Sequence, residues 1–594
     1  MSQREESRSP SPVPIQAHYH SRLASSSSSS SWDNTQQDEE SLLRGGVPGG
    51  SDGASEGTEA VARVTTCPRR GRPFWRELRK LMLLAWPITL SNLLSSTLSI
   101  VDLVFVGRVG STEIAAAALA NTWTTITMFL GIGLCSAMDT LVSQSFGARN
   151  FSSIGILVQR GAILMALMSI PLSLMWWWTE PIMLVLGQDP LISDLTAQFS
   201  RVLIPGLLPF LVLQAILRYM QGQGIMWISL VSNLVANLFN IALNFLFVWG
   251  AGDWNGMGFL GVAVSTSISR YIMVIVAWGC IVCRGLHKKT WTGWNLRAAM
   301  NWTGVKQFLK LGVPGAAMTC LEVWGFELTT LAAGLLGEAS LAAHTCILQV
   351  IVTTFMIPFG ISIAVSTRVG YLLGKGSAKG GKRIVLVSYV LTGAIMLTLG
   401  TILMIFKTSI GFIFTSDEAI VGLVSQVIPV VALFQFFDGT QAVFGGVLRG
   451  MGHQIVGAFF NLMAFYVVNI PLGILLTFVA HQGIIGLWIG LAVALFLVST
   501  SLLIRLLLVD WDKEVKKAAD RMAADHVEYR QQLSDGGVEM EEMAAHTTFG
   551  QEEEEESLER GGAAPLQLVL SSGSREREEK DPEQGPDSHS TQNT

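Results

Sequence analysis

From Leu81 to Val509 the chain repeats a single pattern: a long apolar run, a short polar break, then the next run. An α-helix needs about 20 mostly apolar residues to cross a bilayer, so each run predicts a membrane helix. Twelve are expected, at 81–106, 114–140, 156–178, 199–220, 227–250, 258–283, 308–333, 341–366, 384–406, 421–447, 456–479 and 484–508. The fold class that follows is an all-α polytopic membrane protein. Polar, low-complexity sequence flanks this body, including Ser25–Ser31 at one end and "QEEEEESLERGG" at the other. Such stretches bury too little apolar surface to offset their ordering entropy. The expected divisions are a tail 1–75, helices one to six within 76–283, a linker 284–305, helices seven to twelve within 306–510 and an acidic tail 511–594. Within the last, "WDKEVKKAADRMAADHVEYRQQL" reads as a surface helix, and "LQLVLSS" is too short to span.

The runs come as a duplicated set. Shifted by 227 residues, "LAWPITLSNLLSSTLSIVDLVFVGRVG" lies over "LGVPGAAMTCLEVWGFELTTLAAGLLG" without a gap, Pro87 on Pro314 and Gly107 on Gly334. Further on, "ILRYMQGQG" echoes "VLRGMGHQ". Six spans per half is an even number, so the halves are parallel repeats related by a pseudo-twofold axis along the membrane normal. That plan suits a transporter whose solute path lies between two six-helix lobes.

Composition fits a membrane body: half of the 594 residues are hydrophobic and 14% are charged, against about 25% in an ordinary domain. Basic residues fall in every second loop (Arg149 and Arg160, Arg284 to Lys306, Lys375 to Arg383), while the alternate loops carry Glu180, Asp189, Asp253 and Asp417. By the positive-inside bias both termini face the cytosol, and the sequons at Asn150 and Asn301 are expected to stay unglycosylated. Cys280 and Cys283 form a CxxC inside an apolar run, which reads as packing, and no metal site is expected. "GSAKGGKR" ends in Arg383 where a phosphate-binding loop needs Ser or Thr, so nucleotide-driven pumping is excluded and no cofactor or nucleic acid is expected.

The candidate chemistry is acid inside the membrane. A carboxylate at the bilayer centre costs roughly 2.5–3.5 kcal/mol on insertion scales, so buried acids mark solute or proton paths. Glu322 and Glu327 lie in the seventh span, Asp438 in the tenth with Gln441 one turn on, and Asp102 in the first. Glu322 and Glu327 stand about 140° apart on a straight helix, so they share one path only if the helix bends, and Gly325 is a place for that. Otherwise one faces the cavity between lobes and the other points toward the tenth span. Trp324 and Phe326 offer a cation–π wall or lipid-facing bulk. Asn240 and Asn244 share a helix face as interhelical hydrogen-bonding groups or as ligands. Asp139 reads as a structural acid and His344 as a packing residue, while Arg270, mid-span, must pair with an acid or snorkel.

"WPITLSNLLSSTLSIVDLVFVGRVG", "GLCSAMDTLVSQSFGARN", "FLKLGVPGAAMTCLEVWGFEL" and "GGVLRGMGHQIVGAFFNLMAFYVVNIPLG" together resemble the multidrug and toxic compound extrusion (MATE) transporters of the eukaryotic branch. The resemblance covers about residues 75–508 and all twelve spans. It implies a V-shaped pair of lobes and export of organic cations or amphipathic toxicants in exchange for H+, with Na+ used by some bacterial members. It further implies cation or proton sites at Glu322, Glu327 and Asp438, and matches Asp102 to an N-lobe proton site of some prokaryotic members. Gln349 stands where some animal members carry an acid; with Gln441, Trp324 and Asn240 it is a candidate path-lining residue. The expectation is a monomeric, proton-coupled exporter, not an enzyme, in the plasma membrane or an acidic-organelle membrane. The rival readings are a lipid-linked oligosaccharide flippase, which needs a basic cavity, and a non-transporting receptor.

Overall fold

The computed structural model describes residues 73–535, with side chains from 74 to 523; the serine run, "QEEEEESLERGG" and "LQLVLSS" lie outside the described residues. Every named element is helical. The first half comprises α1 (Pro73–Gly107), α2 (Ser111–Cys135), α3 (Ala137–Gly147), α4 (Phe151–Trp177), the short α5 (Thr179–Val185), α6 (Pro190–Gly222), α7 (Trp227–Asn244) and α8 (Phe259–Cys283). A connecting turn, α9 (Leu296–Ala299), leads to α10 (Trp302–Gly334), α11 (Glu338–Gly374), α12 (Ala378–Ile405) and α13 (Glu418–Met451). The chain continues through α14 (Gln454–Leu462), α15 (Ile470–Ile474), α16 (Ile484–Leu507) and α17 (Trp511–Asp535).

Eleven of the described helical stretches are long and apolar enough to cross a membrane. The remaining expected span is α10, whose 33 residues suffice in length. Its two glutamates are what dilute it. The second span, expected over 114–140, runs as one stretch from Ser111 to Gly147 with a one-residue break at Ser136, whose N–H turns back to the Gly133 and Leu134 carbonyls. There a Cβ on Gly133 would stand 2.5 Å from the Ala316 Cα, so α2 and α10 cross on backbone. The fourth span starts earlier than 199, because Asp189 caps it by accepting from the Leu191 and Ile192 N–H groups with Pro190 in its first turn.

The duplication persists in backbone detail. The fifth span ends in a π turn, Phe245–Trp249, and the eleventh in another, Leu475–Val479. Each leads to a glycine in the left-handed region, Gly258 (φ 57°) and Gly483 (φ 56°), which starts the next helix. Three residues on, Gly261 and Gly486 lie against the backbone of those π turns, where a Cβ would come within 2.3 Å and 2.7 Å. A shared requirement for glycine at both places is what a duplicated six-helix unit predicts.

The lobes built by the two halves meet along α2 against α10 and α1 against α11, where a Cβ on Gly360 would lie 2.2 Å from the Thr89 hydroxyl oxygen. Their hydrogen bonds to one another lie at the end where the described chain starts and stops. Arg368 on α11 donates through Nε and Nη2 to both oxygens of Glu77 on α1, at 3.0–3.1 Å. Gln144 on α3 donates to the Gly450 carbonyl at 2.9 Å, and Gln454 donates to the Thr140 hydroxyl at 2.9 Å. Thr140 in turn donates to the Arg449 carbonyl. Asp139, expected to be a local structural acid, instead sits on this seam: it pairs with Arg218 of its own lobe and lies 3.8 Å from the Arg449 Nε of the other. Small residues allow the approach, since a Cβ on Gly147 would be 2.2 Å from the Tyr371 carbonyl oxygen. Among the described residues no side-chain hydrogen bond joins the lobes toward the opposite end.

The surface helix anticipated after the last span is α17. Trp511, Ala518 and Met522 are buried against the same end of the second lobe, and the Trp511 ring packs where Gly381 has no side chain. Arg521 donates from Nη1 both to Gln144 Oε1 (3.1 Å) and to the Met451 carbonyl (3.0 Å), touching both lobes.

Candidate functional site

Helix α10 runs unbroken past Gly325, against which the Phe465 ring is packed with a would-be Cβ contact of 2.7 Å. Gly325 is therefore a seat for an aromatic ring rather than a bend. On this continuous helix the two glutamates part company. Glu322 points into the second lobe, where its Oε2 accepts from Gln441 Nε2 on α13 and from Asn461 Nδ2 on α14, each at 3.3 Å. Asn461 is held by a further donation to the Met318 carbonyl (2.8 Å), and Gln441 donates to Asn461 Oδ1 (3.2 Å). Two amides thus hold the carboxylate from two different helices.

Asp438 stands one turn before Gln441 on α13 and is buried. No donor among the described residues reaches its carboxylate, and the charge of Glu322 acts on it. One turn earlier Gln435 is buried with neither amide atom partnered among the described residues, and the Gln441 carbonyl is likewise open. The centre of this lobe therefore holds two acids and several unused hydrogen-bonding atoms within a few turns of helix. Glu327 lies apart from it, half-buried and without a hydrogen bond among the described residues, and Trp324 beside it is 38% exposed. Trp324 takes no part in the cation–π contacts of the described residues, and Gln349 is exposed. Neither is drawn into the Glu322 cluster.

Asp102 occupies a separate site in the first lobe. Its oxygens accept from Asn244 Nδ2 (2.9 Å) and the Thr266 hydroxyl (2.5 Å), and Asn244 also donates to Asn240 Oδ1 (3.0 Å). The charge of Arg270 acts on Asp102, while its guanidinium lies 5.2 Å over the Phe210 ring. Arg270 therefore neither snorkels nor forms a close ion pair. The repeat places Thr329 opposite Asp102, and its hydroxyl accepts from Asn469 at 3.1 Å. The duplicated frame keeps the asparagine-held position in both lobes, but the acids have been placed at different depths. His344 is buried with Nε2 3.1 Å from the Thr330 hydroxyl and its ring 5.2 Å from that of Trp488, which is a packing role.

Sequence reasoning did not single out Asn461, Gln435 or Thr266. Asn461 carried a signal, an amide in a strongly apolar span. Thr266 carried none, since threonine is common in membrane helices.

Comparison with known proteins gives this geometry a family. The family model described as MatE matches twice, at residues 87–246 and 314–475, one match per half. Multidrug and toxin extrusion protein 1 of Xenopus tropicalis is 37% identical over 460 residues, covering 77% of this chain and 79% of that protein. Multidrug and toxin extrusion protein 2 of Oryctolagus cuniculus is 35% identical over 448 residues, covering 75% and 73% respectively. Among solved structures, the eukaryotic MATE transporter AtDTX14 superposes with a TM-score of 0.71 at 29% identity, over 75% of this chain and 99% of that one.

Proposed function

The chain belongs to the MATE family of multidrug and toxin extrusion transporters, and from that premise we propose that it is a proton-coupled antiporter exporting small amphipathic organic cations. The observation that supports this reading is the pair of acids inside the second lobe, Glu322 held by two amides and Asp438 within reach of its charge, with no arginine or lysine of the described residues in hydrogen-bond contact with either. Two adjacent negative charges away from water are costly. A proton or a substrate cation relieves that cost, and each displaces the other. Competition for one site is the minimum that antiport requires. The lobes, hydrogen-bonded to one another at one end, supply the alternating access.

In this scheme the joined end faces the cytosol, so the structure is closed to the cytosol and its acids are reached from outside. Glu322 is the proton-coupled acid, Asp438 its partner, Glu327 a contact nearer the outer opening, and Asp102 a second acid in the first lobe. The transporter works as a monomer in the plasma membrane, with both ends of the chain in the cytosol. One unit of pH supplies about 1.4 kcal/mol per proton, a tenfold accumulation. Exchange of one proton for one monovalent cation carries no net charge, so membrane voltage leaves it unaffected. An acidic centre disfavours an anionic lipid-linked sugar as cargo.

The test is purified protein in proteoliposomes with a fluorescent organic cation outside. An acidic lumen should drive its accumulation, and a Na+ gradient at equal pH should not. Accumulation driven by Na+ alone would replace the proton in this reading.

A further inference from the structure

Arg218 and Arg449 occupy matching places in the two repeats, in "ILRYMQGQG" and "VLRGMGHQ". Both converge on one carboxylate, Asp139, at the seam between lobes. Two guanidinium groups facing a single acid leave one positive charge to be balanced elsewhere. Arg449 also donates from Nη2 to the Ser362 hydroxyl at 2.6 Å, and its carbonyl accepts from Thr140, so its backbone and its side chain both belong to the seam.

The same side chain runs back along α13 toward the acid site. A Cβ on Gly445 would lie 3.8 Å from Arg449 Nη1 and 2.7 Å from the Met318 Cε. Met318 is one turn from Glu322 on α10, and its carbonyl holds Asn461. The charged groups acting on Arg449 are Asp139 on α3, Arg218 on α6 and Glu322 on α10. Arg449 is the charge that acts on Glu322, and Glu322 is the charge that acts on Asp438. Arg449 thus belongs to the network that closes the lobes, and its side chain lies near enough to the acid site for its charge to act on Glu322.

We propose that Arg449 is the positioning residue that couples proton release from Glu322 to opening of the joined face, by exchanging Asp139 for Glu322 as its counter-ion when the lobes separate. With the lobes together, Arg449 shares Asp139 with Arg218, and Glu322 can hold its proton. When the lobes part, Asp139 leaves with the first lobe and keeps Arg218. A buried guanidinium without a carboxylate is costly, so Glu322 becomes its remaining partner. The Glu322 O–H bond then breaks, the proton passes to water on the newly opened side, and the carboxylate takes Arg449 as its counter-ion. Release is thereby tied to the side that has just opened. The proposal rests on the proton-coupled reading of Glu322 given above.

Spin labels at Ala148→Cys and Lys375→Cys, on exposed positions either side of the seam, report lobe separation in a cysteine-free background. In reconstituted protein the separated fraction should rise with pH. Glu322→Gln should remove that dependence, and retention of it would sink the reading of Glu322 itself. Arg449→Gln should make separation independent of pH while organic-cation binding still weakens as pH falls, because the acids remain. Arg449→Lys, which keeps the charge, should retain part of the pH-dependent separation. Wild-type pH dependence of separation in Arg449→Gln would overturn the proposal while leaving Glu322 as the proton site. Loss of the pH dependence of cation binding in Arg449→Gln would also overturn it, since Arg449 would then act on the acids alone.

Discussion

Glu322 is held on one oxygen by two amides, and that arrangement makes its variants informative. Glu322→Gln keeps size and hydrogen-bonding capacity but cannot cycle a proton, so pH-driven exchange should fall by at least about tenfold, with normal insertion into the membrane. Glu322→Asp keeps the chemistry and loses only reach, so part of the exchange should survive. Asp438→Asn should also suppress exchange, and wild-type flux in that variant would reduce Asp438 to a packing residue. These acids were legible in the sequence because charge inside an apolar run has no cheap explanation. What Glu322 touches was not legible, since Asn461 comes from a span more than a hundred residues away whose register only packing fixes. A second residue-scale test lies outside the membrane, at Glu514. Burial alone would raise its carboxyl, but hydrogen bonding from His453 and Lys517 outweighs that and holds it at about 2, below the ordinary 4.5. A depressed acid stabilises the fold above its unfolded value and loses that contribution as pH falls through its folded value. Thermal stability of wild type should therefore exceed that of Glu514→Gln at neutral pH, with the gap closing between pH 4.5 and about 2.

Helix α17 divides the C-terminal tail into parts with different consequences. Among its described side chains, Trp511, Glu514, Ala518 and Met522 are buried. A chain lacking 525–594 should keep transport per folded molecule within a few-fold of full length. Removal of the chain from Trp511 onward strips the Trp511 ring from its seat at Gly381 and the Arg521 bridge from Gln144 and Met451, and it should lower thermal stability. Trp511→Ala alone is expected to cost about 3 kcal/mol, within the usual range for emptying a buried aromatic site. Equal melting of the two truncations would make α17 a passive appendage. The existence of α17 was readable from its alternating charge and apolar spacing, whereas its docking was not, because the seat is a glycine on a distant helix. The break at Ser136 and the π turns escaped for a related reason. They answer to the crossing of Gly133 with Ala316 and to the close approach of Gly261 and Gly486, neither of which leaves a mark on local hydrophobicity.

For the whole molecule, the repeat made the two-lobe plan visible before any coordinates, since Pro87 over Pro314 and Arg218 over Arg449 are sequence facts. The asymmetry between lobes was visible too, as acids at unmatched depths. The conformational state was not, because contacts such as Gly147 on the Tyr371 carbonyl exist in only one arrangement of the lobes. Gly147→Val should wedge the seam and shift the population away from the state in which this end is joined, read as a longer distance between labels at Ala148 and Lys375. The central claim is that a substrate cation and a proton compete for the Glu322 and Asp438 pair. Its most direct measurement runs the exchange backwards, in proteoliposomes loaded with an organic cation and a trapped pH dye, with no pH gradient and no buffer gradient. As the cation leaves down its gradient, the lumen should acidify in wild type and remain at constant pH in Glu322→Gln. Cation efflux without lumen acidification in wild type, or equal acidification in Glu322→Gln, would contradict the account.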